Sequence, residues 1–330
     1  MELRVYCRAG LILMRGWDEL YPRFYCCGSD CPMNEHGGPL LGERDGLCVI
    51  DCKRCGWAHL ESMPDADALL HFYESEFWQV EKAGALEHIE DQRDWWAAIY
   101  GDWLELVRPY VPGKDLLDVG SGYGFFMDAA LKHGYDVWGI EPSHKAEVYS
   151  RDRLKGRVWH GTWESFVPAH VAAPITPTRF DCISAVWLIE HLPDPLAFLR
   201  WAHEHLVSGG VLLAVVPNDF SPMQFKANAK VGKPFYWIDK THLSYLTPES
   251  FANLLGRAGF RIVERSTLYP VEKFLMDGLD YTVNTELGAY LYGGIIDVDL
   301  KLTRVERTKR YRDHVRRNEG REIVIAAVHE

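Results

Sequence analysis

The sequence predicts an α/β protein with a mostly parallel sheet, preceded by a small cysteine-rich lobe. From residue 115 onward, short apolar runs alternate with amphipathic segments, a pattern typical of parallel strands covered by helices on both faces. The first apolar run leads into a glycine-rich turn, LLDVGSGYGFF. Six of the eight cysteines lie between Cys26 and Cys55, ahead of this region. The chain therefore divides into a cysteine-rich part and an alternating part.

The alternating part contains seven predicted strands. They are LLDV, YDVWGIE, RVWHG, FDCISAVWLI, GGVLLAVVP, FRIVERSTL and REIVIAAVH. The helices between them are FFMDAALKHG, SHKAEVYSRDRLKG, PLAFLRWAHEHL and TPESFANLLGRAGF, and Thr247 is a suitable N-cap for the last of these. Two further helices, ADALLHFYESEFW and EHIEDQRDWWAAIYGDWLELVRPY, precede the sheet. The final strand follows a long connection, which leaves an antiparallel direction open to it.

We expect three regions and two long insertions. Residues 1–62 form the cysteine-rich lobe, residues 63–112 a helical lead-in or lid, and residues 113–330 the α/β domain. Within that domain, residues 217–246 form an aromatic-rich loop that we expect to contact a substrate. Residues 270–320 end in a basic segment that is predicted to be helical. For this second insertion our hypothesis is a contact between two copies of the chain in a homodimer.

Composition and charge argue against several classes of protein. Hydrophobic residues make up 47% of the 330-residue chain, which is enough for a sizeable core. The formal net charge of −11 argues against a nucleic-acid partner. No run reaches the 18 or more apolar residues of a membrane span, and the N-terminus lacks the pattern of a signal peptide. We therefore expect a cytoplasmic protein without a membrane partner.

The cysteines predict a zinc site. The segment CKRCG, from Cys52 to Gly56, has the spacing that directs two thiolates at one metal ion. The segment CCGSDC supplies a second pair, for which Cys26 is an alternative to Cys27. The predicted ligands are Cys27, Cys31, Cys52 and Cys55. Four thiolates would close the coordination shell, so we expect a structural zinc. The competing hypothesis is a set of reduced cysteines buried without metal.

The glycine-rich turn predicts a ligand site at the carboxyl end of the first strand of the alternating part. Its glycines are Gly120, Gly122 and Gly124, and Asp118 precedes them by two positions. A nicotinamide-binding turn needs the spacing Gly-x-Gly-x-x-Gly. Phe125 stands where the third glycine of that pattern would be, so the turn is of a different type.

This Asp-x-Gly-x-Gly-x-Gly turn resembles motif I of the class I S-adenosylmethionine-dependent methyltransferases. Further segments resemble later parts of that family in the right order, namely HGTWESF, FDCISAVWLIEHLPDP, GGVLLAVVPN and HLSYLTPESFANLLGRAGF. The resemblance covers roughly residues 65–260 and the last strand. It implies a Rossmann-like, seven-stranded methyltransferase sheet, S-adenosylmethionine as the cofactor, and in-line methyl transfer.

The resemblance also implies which residues hold the cofactor. The glycines would pass beside its methionine part, Glu141 would accept hydrogen bonds from the ribose hydroxyls, and Thr162 and Trp163 would lie near the adenine. The implied cofactor site comprises Asp118, Gly120, Ser121, Gly122, Gly124, Glu141, Pro142, Thr162, Trp163 and Val186. Two alternatives stay open: a doubly wound fold that binds another nucleotide, and a purely structural role for Trp163 in the core.

An amine, hydroxyl or carbanion acceptor must lose a proton during methyl transfer. The candidate catalytic residues are His191, which follows the fourth strand of the sheet, and His242 and Tyr236 in the aromatic loop. Glu190 could support either histidine, or could cap the following turn. Structural roles for both histidines stay open as alternatives.

A subset of class I methyltransferases carries a zinc ribbon ahead of a segment that MPDADALLHFYESEFW resembles. Phe24 stands where that subset has its first cysteine, so Cys26, Cys31 or Cys48 would substitute. Such relatives often act on sugars, sugar nucleotides or other small metabolites, and we expect a small-molecule acceptor here. The alternatives are a nucleic-acid or protein methyltransferase that docks through the lobe and the basic helix, and a non-catalytic protein that only binds the cofactor.

Overall fold

The first part of the chain forms two small antiparallel sheets. The computed structural model describes residues 5–7, 10–12, 36–64, 66–78, 82–168, 176–233 and 237–330. Strand β1 (Val5–Cys7) pairs with β2 (Gly10–Ile12), and β3 (Leu40–Arg44), β4 (Leu47–Cys52) and β5 (Trp57–Leu60) form an antiparallel meander. The division of the chain into a lobe, a lead-in and an α/β domain stays a prediction.

Three helices connect the meander to the main sheet. They are α1 (Ala66–Ser75), α2 (Ala85–Asp91) and α3 (Arg93–Val107). The segment predicted as one helix before the sheet is thus divided at Gln92, which lies between α2 and α3 with a φ of −107°. Helix α2 buries none of its residues, whereas α3 buries seven. Packing against the sheet therefore stabilises α3, and α2 is a surface helix.

The rest of the chain alternates strands and helices as predicted. In chain order the elements are β6 (Asp115–Val119), α4 (Phe125–Lys132), β7 (Asp136–Glu141), α5 (His144–Arg151), β8 (Val158–His160), β9 (Phe180–Val186), α6 (Pro195–His205), β10 (Leu206–Pro217), α7 (Pro222–Val231), β11 (Ser244–Tyr245), α8 (Pro248–Arg257), β12 (Phe260–Ser266), α9 (Glu272–Met276), α10 (Thr285–Lys301), α11 (Arg304–Arg317) and β13 (Glu322–His329).

Seven strands form the main sheet in the order β12-β13-β10-β9-β6-β7-β8. The pairs β10–β9, β9–β6, β6–β7 and β7–β8 are parallel. Strand β13 is antiparallel to both of its neighbours, β10 and β12. The sequence-based prediction of a seven-stranded, Rossmann-like sheet is confirmed, and the direction left open for the last strand is antiparallel.

Apolar side chains pack on both faces of this sheet. Neighbouring residues of one strand point to opposite faces, and Leu116 and Leu117 of β6 accordingly belong to two separate core clusters. One cluster joins the sheet to α6, α8 and the N-terminal meander, and the other joins it to α3, α4 and α11.

Among the described residues, no helix is both long and apolar enough to cross a lipid bilayer.

The two insertions contain regular structure of their own. Residues 217–246, predicted as a loop, include helix α7 and the two-residue strand β11. Residues 270–320 fold into α9, α10 and α11, and α11 agrees with the helix predicted for the basic segment. Thr247 caps α8 as expected, because its hydroxyl accepts a hydrogen bond from the Ser250 amide at 3.2 Å.

Strand β11 joins the N-terminal meander to the second half of the chain. It pairs antiparallel with β5, so Ser244 lies opposite His59. The Trp57 indole donates a hydrogen bond to the Ser244 hydroxyl at 3.2 Å inside the core. Tyr245 is fully buried, and its hydroxyl donates to the Asp239 carbonyl at 3.0 Å. The meander is therefore completed by a strand that lies about 190 residues later in the chain.

We predict that Tyr245→Phe lowers the free energy of unfolding by about 1 to 3 kcal/mol, because it removes hydrogen bonds to the Asp239 main chain. Urea denaturation measures this free energy. The matched control is Tyr290→Phe, which changes a tyrosine that is 79% exposed and should shift stability by less than about 0.5 kcal/mol. Equal stabilities of the two variants would contradict the prediction.

Candidate functional site

The glycine turn after β6 is held against the end of β7. The amides of Gly120 and Ser121 both donate to the Ile140 carbonyl, at 2.8 and 3.0 Å. The amide of Gly122 donates to the Glu141 carboxylate at 2.7 Å. Each of the three turn glycines has a positive φ, between +52° and +79°. The turn is thus a fixed loop whose conformation depends on the neighbouring strand.

Close approach explains why two of these positions carry no side chain. A Cβ atom on Gly122 would lie 3.1 Å from the indole ring of Trp78. A Cβ atom on Gly124 would lie 2.6 Å from Leu154 Cδ1, which is closer than real Cβ contacts allow. Glycine is therefore required here both by backbone conformation and by space.

The Glu141 carboxylate is buried at the carboxyl end of β7, with a relative exposure of 4%. It accepts hydrogen bonds from the amides of Gly122 and Ser143, at 2.7 and 2.9 Å. Burial raises the pKa of Glu141 to about 7, although these two hydrogen bonds and one from the Trp78 side chain oppose the rise. Glu141 is thus a buried carboxylate that can accept hydrogen bonds.

A second buried carboxylate lies beside it. Asp118, at the end of β6, accepts a hydrogen bond from the Ser184 hydroxyl at 2.7 Å. Burial raises the pKa of Asp118 to about 7, and the nearby charge of Glu141 raises it further. Among the described residues, the buried hydroxyl of Ser121 has no hydrogen-bond partner. The turn therefore presents polar groups that suit a polar ligand.

A cleft of about 200 Å³ lies beside these residues, at the carboxyl ends of β6 and β7. Its floor includes Gly120, Glu141, Pro142, Thr162 and Trp163, which the sequence assigned to the cofactor site. Val186 is not part of the lining; it packs against the core cluster on the face of α3, and Leu188 lines the cleft instead. The structure therefore brings five of the ten predicted cofactor residues into the lining of one cleft.

The cover of the cleft comes from α1 and the residues just after it. Leu69 and Tyr73 of α1, followed by Phe77 and Trp78, also line the cleft. The Trp78 ring lies 4.7 Å from the Tyr123 ring in the glycine turn, between centroids. The volume of the cleft, about 200 Å³, is somewhat below the roughly 300 to 1,000 Å³ typical of sites for small ligands.

Two of the three predicted catalytic residues lie next to each other. The rings of His191 and His242 are 5.0 Å apart between centroids, and His191 lines the cleft. Burial lowers the pKa of His191 to about 3 and that of His242 to about 4, so both are neutral at pH 7. The third candidate, Tyr236, lies outside the described residues.

Hydrogen bonding determines the tautomer of His191. Its Nδ1 lies 2.7 Å from the Thr241 carbonyl, and a carbonyl only accepts, so Nδ1 carries the proton and Nε2 keeps its lone pair. The Glu190 carboxylate is 1% exposed, and neither of its oxygens has a hydrogen-bond partner among the described residues. Burial raises the pKa of Glu190 well above its ordinary value.

A second cluster, of residues that could hold a metal ion, lies in and next to the meander. Ligand atoms of His36, Cys52, Cys55 and His59 all lie within 4.8 Å of one another. His36 Nδ1 is 3.5 Å from Cys52 Sγ and 3.4 Å from Cys55 Sγ. The predicted ligands Cys27 and Cys31 lie outside the described residues, as does the alternative Cys26. The other alternative, Cys48, is a buried residue of β4.

The two histidines of this cluster were not identified from the sequence. His59 is seven positions after Cys52, on β5, and His36 is 16 positions before it. Neither spacing is a recognised partner spacing for the Cys-x-x-Cys pair. The hairpin of β4 and β5 brings His59 back toward the knuckle, and this return depends on strand pairing.

The strand order and the glycine turn define the class of the protein: a class I, S-adenosylmethionine-dependent methyltransferase fold. A family model described as a methyltransferase domain matches residues 85–265, more than half of the chain. The chain belongs to this methyltransferase family. It is an S-adenosylmethionine-dependent methyltransferase.

Curated relatives are named ubiquinone biosynthesis O-methyltransferase. The one from Dinoroseobacter shibae is 30% identical over 179 residues, covering 51% of this chain and 68% of the relative. The one from Paramagnetospirillum magneticum is 31% identical over 176 residues, covering 50% of this chain and 66% of the relative. A solved methyltransferase structure from Archaeoglobus fulgidus is 18% identical, with 70% of this chain and 94% of that chain covered and a TM-score of 0.45. The chain thus spans about two thirds of the length of these curated relatives.

We predict that Gly124→Ala destabilises the protein more than Gly134→Ala. Both glycines have a φ near +80°, so both substitutions carry the roughly 1 to 2 kcal/mol cost of a left-handed alanine. Only Gly124→Ala also drives a methyl group against Leu154, which adds about 1 to 3 kcal/mol of overpacking. Urea denaturation of the two variants measures the difference, and equal free energies of unfolding would show that the turn is not tightly packed.

Proposed function

We propose that this protein transfers a methyl group from S-adenosylmethionine to a small molecule, and that the cleft beside the glycine turn binds the cofactor. The observation that carries the assignment is the buried Glu141 carboxylate at the end of β7, hydrogen-bonded to the glycine turn. When bound, the cofactor supplies an electrophilic methyl group on a sulfonium. The chain's own residues bind it, orient the acceptor and exclude water.

The residues present fit the cofactor. A carboxylate that already accepts an indole hydrogen bond from Trp78 can accept ribose hydroxyls in the same way. The turn carries no side chains at Gly120, Gly122 and Gly124, so a ligand can approach its backbone closely. The proposed cofactor residues are Asp118, Gly120, Ser121, Gly122, Gly124, Glu141, Pro142, Thr162 and Trp163.

Enclosure of the cleft supports a small-molecule acceptor. Side chains of α1 and of residues 77–78 cover it, and a polymer would need an open approach. The curated relatives are named for an O-methyl transfer in ubiquinone biosynthesis, which is also a small-molecule reaction by that name. A cytoplasmic location and a homodimer remain part of the proposal.

We propose that the acceptor loses its proton near His191 and His242. Nε2 of His191 keeps its lone pair, because its Nδ1 bonds the Thr241 carbonyl. The low pKa values that burial gives both imidazoles make them weak bases, since an efficient base has a pKa near the working pH. We therefore propose that they orient the acceptor, and that the acceptor brings an acidic proton. Tyr236 remains a further candidate.

We predict that the affinity for S-adenosylmethionine rises with pH up to about 7 and then levels off. The ionised Glu141 carboxylate accepts ribose hydroxyls and its protonated form does so poorly, so binding falls as pH drops through its pKa of about 7. Glu141→Gln should weaken binding by about 1 to 3 kcal/mol at pH 8 and flatten the pH dependence.

Calorimetric titration between pH 6 and 8.5 measures both effects. The matched control is Glu204→Gln, which removes an exposed carboxylate of α6 and should bind like wild type at every pH. If Glu141→Gln binds as tightly as wild type across this range, the ribose assignment is wrong. If folded wild-type protein does not bind S-adenosylmethionine at all, the cleft has been misassigned.

The meander supports a structural zinc as a second part of the proposal. We propose that Cys52, Cys55, His36 and His59 hold it. Nδ1 of His59 bonds the Leu60 carbonyl at 2.6 Å, which leaves Nε2 directed to the thiols. The Cys55 amide donates to Cys52 Sγ at 3.5 Å, as expected in a metal knuckle. Two thiolates and two imidazoles complete a tetrahedron, so the site would be structural.

We predict that the purified protein holds about one zinc ion per chain and that His59→Ala and Cys52→Ser lose it and unfold at lower temperature. Elemental analysis and thermal unfolding measure these changes, and cobalt substitution reports whether sulfur and nitrogen ligands are mixed. His88→Ala, on the surface helix α2, is the control and should keep its zinc. If His59→Ala keeps its zinc while Cys27→Ser and Cys31→Ser lose it, the set predicted from the sequence is the correct one.

A further inference from the structure

We propose that a second cavity, which shares Trp187 with the cofactor cleft, binds the methyl acceptor, and that this acceptor is a flat aromatic molecule bearing a hydroxyl group. Trp187 lines both the cleft and this second cavity. The inference rests on the proposed function, because it gives the acceptor of that reaction a place and a chemical class. We call this second space the aromatic cavity; it lies among α3, α10, the connection after β12 and the start of β13.

The aromatic cavity has the size of a small-molecule site. Its volume is about 310 Å³, within the range of sites that enclose a small ligand. It lies at the same edge of the sheet as the cofactor cleft. Strand β13 is antiparallel to β10, so Glu322 at its start lies opposite Pro217 at the end of β10. The two spaces are therefore neighbours at the edge where parallel strands present their ligands.

Aromatic residues make up half of its lining. Trp95 and Trp96 come from α3, Tyr292 from α10, and Phe274 from α9. The ring of Trp96 meets that of Trp187 edge to face, with centroids 5.3 Å apart. Flat aromatic ligands gain from offset and edge-to-face contacts with such rings. Contacts with these rings therefore favour a flat aromatic acceptor.

One buried carboxylate belongs to this wall. Glu322 lines the aromatic cavity, and its Oε2 accepts a hydrogen bond from the Trp187 indole at 3.1 Å. Burial raises the pKa of Glu322 to about 7, and Arg321 opposes that rise. A carboxyl group at this position repels an anionic ligand when ionised and accepts a hydrogen bond from a hydroxyl. The ligand therefore needs a donor at the end that faces Trp187.

The neighbouring cation does not change this conclusion. Arg321 also lines the aromatic cavity, but its guanidinium is engaged by two other buried carboxylates. It lies 3.3 Å from Asp219 and 3.9 Å from Glu272. Its charge is thus compensated within the protein and does not call for an anionic ligand.

The backbone at Trp187 supports a functional role for this side chain. Trp187 has a φ of +52°, which is rare for a bulky residue. Such conformations occur where surrounding structure enforces them, often at ligand sites. Here the Glu322 hydrogen bond and the rings of Trp96 and Trp103 hold the indole in place. The strained residue is thus one that lines both spaces.

Helix α10 offers a matched pair of positions for the test. Gly288 lines the aromatic cavity, and a Cβ atom there would lie at an ordinary 3.6 Å from Tyr281. Gly293, on the same helix, has no atom within 4 Å of a built Cβ. Gly288→Phe therefore fills the cavity, and Gly293→Phe adds the same side chain in open space. Gly288→Leu is a smaller filling substitution, for use if the phenylalanine variant does not fold.

The test is calorimetric binding of 2-naphthol to the full-length protein and these variants. We expect wild type and Gly293→Phe to bind equally, and Gly288→Phe or Gly288→Leu to bind at least tenfold more weakly. We also expect 2-methoxynaphthalene, which lacks the hydroxyl donor, to bind wild type at least tenfold more weakly than 2-naphthol. Equal binding of 2-naphthol to the Gly288 and Gly293 variants would overturn the site. Preference for phenyltrimethylammonium over 2-naphthol would overturn the ligand class.

A parallel titration with S-adenosylmethionine separates this inference from the proposed function. Loss of 2-naphthol binding in the Gly288 variants with unchanged cofactor binding supports the aromatic cavity as a distinct site. If wild type binds 2-naphthol with the expected variant pattern but no S-adenosylmethionine, the proposed function fails and the aromatic cavity stands. If wild type binds S-adenosylmethionine but no 2-naphthol, the cavity inference alone is overturned.

Discussion

The hydrogen bonds to the buried carboxylate of Glu141 are the interaction on which the site depends. A carboxylate this deep in the protein is costly unless it is hydrogen-bonded, and the amides of Gly122 and Ser143 meet that need. The same bond fixes the glycine turn, which is also tied to the Ile140 carbonyl. The end of β7 and the loop after β6 therefore form one rigid unit. The same hydrogen bonds therefore fix both the position of the carboxylate and the backbone conformation of the turn.

Around this unit, the two faces of the sheet pack against different elements of the chain. The cluster on one face joins the sheet to the N-terminal meander, through β5 and its pairing with β11. That pairing also positions the segment with His191 and His242, since the Leu243 amide bonds the Glu190 carbonyl at 2.8 Å. The cluster on the other face packs α3 and α11 and supports the aromatic cavity. Elements distant in sequence thus converge on one edge of the sheet.

The sequence was sufficient for features that depend on local pattern. The spacing of Gly120, Gly122 and Gly124 and the acidic end of β7 predicted where the cleft lies. Helix α7 was not predicted. It buries only Gln224 and Ala227, so its sequence lacks the apolar periodicity that indicates a helix. Strand β11 has two residues and exists through a partner far along the chain. His36, His59 and the left-handed backbone of Trp187 likewise depend on tertiary contacts.

Strands β12 and β13 are antiparallel neighbours, and Ser266 pairs with Val324 at the end of their ladder. Residues 267–321 consequently form one long connection between β12 and β13, and both ends of this connection are attached to the sheet. Lengthening such a loop costs little chain entropy, and its content can change while the ladder persists. Both ends of the segment that carries α9, α10 and α11 are therefore positioned by strand pairing and not by the helices themselves.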